Sequence, residues 1–190
     1  MKIVLASASP RRKELMEMLG VQDLEIIPAK GEESAPEGIG PDELVKILSA
    51  QKAAEVAALG HENDIVIGAD TIVWANDRVY GKPKSEAEAK EMLKSLSGNT
   101  HEVYTGVTVM KDGSVLSRAE RSLVTFRALD EREIDAYIAT KEPMDKAGAY
   151  GAQGKAALFV KSIEGDFFNV MGLPLCCLGE MLKQQGVVIL

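Results

Sequence analysis

Ser7-Ala8-Ser9-Pro10-Arg11-Arg12 joins a short apolar run to what its spacing predicts to be a helix start. A helix N-terminus already carries free N–H groups and partial positive charge. Arg11, Arg12 and Lys13 in that first turn therefore cost about 0.3–1 kcal/mol per exposed charge, which a bound anion would offset. Phosphate fits, with hydroxyls from Ser7 and Ser9 and donors from the guanidinium groups; a solvated basic turn is the plainer alternative. Gly68-Ala69-Asp70-Thr71 ends a second apolar run. Ligands gather beyond strand carboxyl ends in open α/β sheets, so Asp70 there could hold Mg2+ or take a proton from water, or be an ordinary strand-end turn residue. In Gly81-Lys82-Pro83 the lysine could reach a phosphate or be a surface charge. The segment 142–154 gathers three glycines, the pair Asp145-Lys146 and Gln153. The Gln153 amide offers a donor and an acceptor that match the carbonyl and N–H edge of uracil or thymine.

The elements that must position these residues alternate in type. Residues 3–6, 24–27 and 65–67 read as short buried strands. Ser9 is the expected cap of a helix with Pro10 first and Gly20 past its end. Residues 41–59 read as a helix with Leu44, Ile47 and Leu48 on one face, after an acidic loop at 31–40. Strands at 71–74 and 78–80 flank the turn Asn76-Asp77. Ser85-Glu86-Ala87-Glu88 reads as a capping box, and Gly98 stops that helix. Strands at 102–110 and 115–126 flank Asp112-Gly113. Asp130 and Glu133 cap a short helix at 130–138. Two more strands are expected near 158–163 and 167–171, before a last helix at 174–185. Helices mixed with long antiparallel hairpins imply an α/β fold without a purely parallel sheet.

Composition narrows the function. The 190 residues suit one domain, possibly of two lobes, and a 46% hydrophobic fraction supplies a real core. A net charge of -7 argues against non-specific nucleic-acid binding. No apolar run has the length of a membrane span or signal peptide. Cys176 and Cys177 make no disulfide framework, read as core thiols in a helix, and favour a reducing compartment. His61 and His101 lack metal-ligand spacing and suit a helix end and a strand start. Trp74 reads as packing, with base stacking the lesser alternative. No Gly-x-x-x-x-Gly-Lys-Ser/Thr cradle exists, so a triphosphate would be gripped mainly by side chains.

Read together, the segments resemble the Maf family of nucleoside triphosphate pyrophosphatases, also called septum-formation inhibitor proteins. The matching pieces are Leu5 to Arg12, Gly68-Ala69-Asp70-Thr71-Ile72-Val73, Gly81-Lys82-Pro83, Ser97 to Thr105, Asp145-Lys146-Ala147-Gly148-Ala149-Tyr150 and Asn169 to Pro174. They cover nearly the whole chain, in order. The resemblance implies one Maf-like domain over 1–190, with a two-lobed, mixed, strongly bent β-sheet flanked by helices around a central cleft, as in inosine triphosphatases. It implies attack of water at the α-phosphate, a divalent cation (Mg2+, else Mn2+ or Co2+), a nucleotide as the small-molecule partner, a homodimer and a cytoplasmic location. No nucleic acid or membrane partner is expected. Asp70 is then the general base. Lys82 and Glu33 join it in catalysis, and Asp70 and Glu33 place the metal. Ser7, Arg11, Arg12, Lys52 and Lys82 bind phosphate. Glu32 stays an alternative to Glu33, because Gly31 stands where relatives usually carry an apolar residue. Tyr150-Gly151-Ala152-Gln153-Gly154 resembles the branch acting on dTTP and UTP, with Arg12, Thr71 and Gln153 as specificity positions. A nucleotide-binding regulator of cell division with little hydrolysis is the alternative of a different class.

Overall fold

The computed structural model describes residues 2–21 and 23–189. Its strands are β1 (Ile3–Ala6), β2 (Leu24–Ile26), β3 (Ile65–Ala75), β4 (Arg78–Tyr80), β5 (Thr100–Lys111), β6 (Ser114–Phe126) and β7 (Val160–Glu164). Its α-helices are α1 (Pro10–Met18), α2 (Pro41–Ala57), α3 (Glu86–Leu96), α4 (Glu131–Ala139), α5 (Phe167–Met171) and α6 (Leu175–Gln184). The described strands form one mixed sheet in the order β2-β1-β3-β5-β6-β7, with β4 added to β3. The chain divides into two compact units. The first comprises Met1–Asp70, Thr105–Glu120 and Gly172–Leu190, and the second Thr71–Tyr104 and Arg121–Met171. The division falls inside β3, β5 and β6.

In the first unit, β1 lies parallel between β2 and β3, with Ile3 paired to Leu24 and to Ile65. Parallel strands buried on both faces need near-continuous apolar sequence, which β1 and the start of β3 supply. Helix α2 lies unusually close to the sheet. A Cβ on Gly68 would collide with the Ser49 carbonyl, and one on Gly106 with the Val45 carbonyl. Two glycines on neighbouring strands thus set the height of the helix. The buried residues of α2 are Val45, Leu48, Ser49, Ala53 and Val56. Leu44 and Ile47, expected on the core face, are only half-buried beside it.

The second unit has its own core. Val73, Tyr80, Leu93, Val103, Phe126, Ile134, Tyr137, Tyr150 and Phe159 belong to one buried cluster. Helix α3 contributes Ala89, Met92, Leu93 and Leu96, the spacing of one helical face. Asn76 and Asp77 turn β3 into β4 with both φ angles positive, at 51° and 56°. Asp112 and Gly113, at 49° and 80°, turn β5 into β6 in the first unit. Positive φ at both central positions is the signature of tight hairpin turns.

Four expectations are corrected. Asp70 does not end its strand: β3 runs unbroken from Ile65 to Ala75, because Gly68 is a close-approach glycine and not a breaker. Residues 167–171 form α5, not a strand; the Asp166 carboxylate accepts the Phe168 N–H at 2.7 Å and starts a helical turn. Ser9 begins α1 without a side-chain cap bond. Ser85 does accept the Glu88 N–H at 3.1 Å, but the Glu88 carboxylate reaches back to the Lys84 N–H, so that box is not reciprocal.

Candidate active site

The candidate groups of the first unit converge at the end of β1. Ala6 is in register with Gly68, so the chain leaves β1 at Ser7 level with the approach to Asp70. Ser7 and Asp70 are both buried polar residues. The Ser7 hydroxyl accepts the Ser9 N–H and an Arg12 Nη1–H, each at 3.2 Å. Arg12 Nε donates to the Gly172 carbonyl at 2.7 Å. One guanidinium therefore ties α1 to the β1 exit and to the chain before α6. Desolvation lowers the Arg12 pKa from its ordinary value; the fields of Asp70 and Glu33 oppose that shift, and Arg11 adds to it. An arginine stays charged through such shifts.

Helix α2 supplies the rest. Lys52 falls beside the buried stripe of α2, between Ser49 and Ala53, and its side chain is mostly covered. The ammonium pairs with the Asp70 carboxylate and, at 3.0 Å, with Glu33. Its neighbours on α2 hold the loop that carries Glu33. The Gln51 amide donates to the Ser34 carbonyl at 2.5 Å and accepts the Ser34 N–H at 3.2 Å. The Glu55 carboxylate accepts the Lys30 N–H at 2.7 Å and the Gly31 N–H at 2.9 Å. Those two amides hold Glu55 below the usual carboxylate range. A Cβ on Gly31 would lie 2.8 Å from Glu55 Oε2, which accounts for the glycine there. Of the two acidic neighbours, Glu33 is the one paired with Lys52.

Two carboxylates drawn to one cationic point suit a hard divalent ion, which often takes one or two carboxylates and completes its shell with substrate phosphates and water. Among the described residues no group of three or more His, Cys, Asp or Glu side chains could hold a metal by itself. The donor set fits an ion that arrives with a phosphate ligand. Gln51, Glu55 and the Gly172 carbonyl were not anticipated as supports. Only helical spacing offers a signal, since Gln51, Lys52 and Glu55 share successive turns of α2.

The second unit holds the remaining candidates. Thr71 is half-buried directly after Asp70 in β3, and Lys82 is exposed between Gly81 and buried Pro83. The Gly81 carbonyl accepts the Gly148 N–H at 3.1 Å. Gly148 has φ +67°, and a Cβ there would lie 2.7 Å from Val73 Cγ2. Lys146 pairs with Asp145 at 2.6 Å and donates to the Glu142 carbonyl at 2.8 Å. Gln153 is exposed in a turn closed by the Gly154 N–H on the Gly151 carbonyl at 2.9 Å. Half-buried Trp74 lies in β3, His61 bonds Asp64 at 3.1 Å beyond α2, and His101 is buried in β5. Cys176 is exposed and Cys177 intermediate on α6, so neither is the core thiol expected.

Known proteins share both pattern and fold. The model of the Maf-like protein family matches residues 2–185. A dTTP/UTP pyrophosphatase of Bacillus cytotoxicus is 54% identical over 96% of this chain and 95% of its own. One of Bacillus cereus is 54% identical over 98% of this chain and 96% of its own. A solved HAM1 protein from Coxiella burnetii superposes with a TM-score of 0.55 over 97% of this chain and 99% of that one, at 18% identity, a likeness of fold. With the family model matched over residues 2–185 and relatives 54% identical over nearly the whole chain, the chain belongs to the Maf-like protein family.

Proposed function

We propose that the protein is a nucleoside triphosphate pyrophosphatase acting on dTTP and UTP, releasing the monophosphate and pyrophosphate. The carrying observation is near-complete alignment, at 54% identity, with relatives named for that activity. The first unit supports it with a cation-rich turn and two carboxylates around Lys52.

The water oxygen attacks the α-phosphorus, and the α–β bridging oxygen leaves with its electron pair as pyrophosphate. Asp70 orients the water and takes its proton; the carboxylate is a weak base whose value lies in position. Arg12, fixed by Ser7 and Gly172, and Arg11 and Lys52 counter the charge that builds on the leaving group. Lys82 is a further phosphate-binding residue of this proposal through family resemblance. Asp70 and Glu33 would hold a divalent cation, Mg2+ or else Mn2+ or Co2+, which neutralises phosphate charge and acidifies water when bound. Gln153 reads the carbonyl and N–H edge of uracil or thymine, with Thr71 and Arg12 as further selecting positions. A homodimer, a cytoplasmic location and a link to septum formation belong to this proposal through family resemblance. No helix among the described residues is long and apolar enough to cross a membrane.

Pyrophosphate release measured across a panel of nucleoside triphosphates, with Mg2+ and with Mn2+, tests the reading. Preference for dTTP and UTP is expected, with turnover falling about 10²–10⁴-fold in Asp70→Asn. Binding without release would favour a nucleotide sensor, and near-normal turnover in folded Asp70→Asn would remove Asp70 from catalysis.

A further inference from the structure

The turn that carries Gln153 is held at both ends by one carboxylate. Glu142 Oε1 accepts the Tyr137 hydroxyl at 3.0 Å, and the same hydroxyl accepts the Gly151 N–H at 3.2 Å. The two Glu142 oxygens accept the Lys155 N–H at 3.1 and 3.3 Å. A relay thus enters the four-residue turn at Gly151 and leaves just past Gly154. The flanking glycines make room for it. A Cβ on Gly154 would collide with Glu142 Oε1, and one on Gly151 would lie 2.6 Å from Lys146 Cε. Tyr137 is buried against Phe159, with ring centroids 5.1 Å apart. Burial, with help from the Glu142 charge, pushes its phenol above the ordinary range, so it stays a proton donor.

We propose that Glu142 and Tyr137 are positioning residues for base selection, holding the backbone that aims the Gln153 amide. This rests on Gln153 being the base-reading residue. A primary amide carries donor and acceptor side by side. It matches thymine or uracil one way round and cytosine after a half-turn, so it discriminates only when its approach to the base is fixed. The clamp fixes that approach from outside the reading residue. Neither Glu142 nor Tyr137 needs to touch the nucleotide.

The measurement is the ratio of kcat/KM for dTTP to that for CTP, which an unfolded fraction leaves unchanged. Gln153→Ala should collapse the ratio. Tyr137→Phe and Glu142→Gln should each lower it roughly three- to tenfold, the worth of one or two hydrogen bonds, through KM for dTTP more than through kcat. In a Gln153→Ala background neither change should lower it further. If Gln153→Ala lowers the ratio and both clamp variants keep it, the positioning role fails while the base-reading role stands. If Gln153→Ala keeps the ratio, the base-reading role fails and the positioning role with it. Equal losses on dTTP and CTP in the clamp variants would make the clamp merely structural and overturn the inference.

Discussion

Two helices of this chain start in opposite ways. Helix α4, in the second unit, begins with a complete capping box: Asp130 accepts the Glu133 N–H at 2.9 Å, and Glu133 accepts the Asp130 N–H at 3.2 Å. Glu133 also takes two bonds from Arg127, which with the Asp130 amide pull its pKa down to about 2. Acids fill the positive end of the helix dipole, as stability asks. Helix α1, in the first unit, has no acid in its first turn and no side-chain cap. Its first turn carries Arg11, Arg12 and Lys13, and its Ser9 donates backward to Ser7. The first start serves the fold; the second, in the function proposed above, serves an anion, with Arg12 held by Ser7 and Gly172. Lys13 pairs with Glu17 one turn on, at 3.6 Å, but no acid stands in the first turn itself, and a broken local rule is where function is expected.

Replacing Arg12 by Ala should break the comparison most severely if it is wrong. Turnover should fall about 10²–10³-fold, the usual loss of one preorganised charge-stabilising donor. Unchanged turnover with a large loss of Tm would make the start of α1 as structural as that of α4. A stability effect of on the order of 3 kcal/mol comes from the second unit, where burial lowers His101 from 6.5 to about 4. Between those values the unfolded chain binds a proton that the folded chain refuses, so acid favours unfolding. The His101 contribution is complete above about pH 6.5 and lost as pH falls toward 4. Thermal melts from pH 8 to 4 should show this slope flattened in His101→Gln, and an unchanged slope would assign the acid sensitivity elsewhere. Pyrophosphate at a hundred times its Kd should stabilise the wild type by about 2.7 kcal/mol. That gain should shrink in Arg12→Ala and persist in Asp130→Ala; an equal gain in both would detach the anion from α1.

The sequence shows these two starts unequally. Asp130 and Glu133 are three residues apart, so the box is legible as local pattern, as are the turns at Asn76-Asp77 and Asp112-Gly113. The cationic turn is equally visible, yet its anchors are remote: Gly172 lies 160 residues from Arg12. Gly68 looks like punctuation in a linear reading, because nothing local says that α2 passes over it. Likewise Gln51 and Glu55 hold the Glu33 loop across 17 to 25 residues, and Glu142 meets Lys155 across 13. Local hydrogen bonds leave a spacing that can be read; tertiary ones leave only a polar residue on a helix face. Lys52 is named by the family resemblance alone, since the buried stripe that it interrupts shows only in the fold.

The smallest effects give the sharpest contrast. Asp130→Ala removes an oxygen that satisfies a helix N–H and should cost about 1 kcal/mol, roughly 2–4 °C in Tm for a chain of this size. Ser9→Ala occupies the equivalent position in α1, and propensity alone would assign it the same cost. Its hydroxyl makes no cap bond, while the Ser9 N–H that Ser7 accepts survives the substitution. The expected change is within about 0.5 kcal/mol, that of a replacement that breaks no cap or buried contact. Paired melts in the absence of nucleotide decide it. A Ser9→Ala loss as large as that of Asp130→Ala would mean that α1 is capped for stability after all, and its basic first turn would then need no anion to account for it.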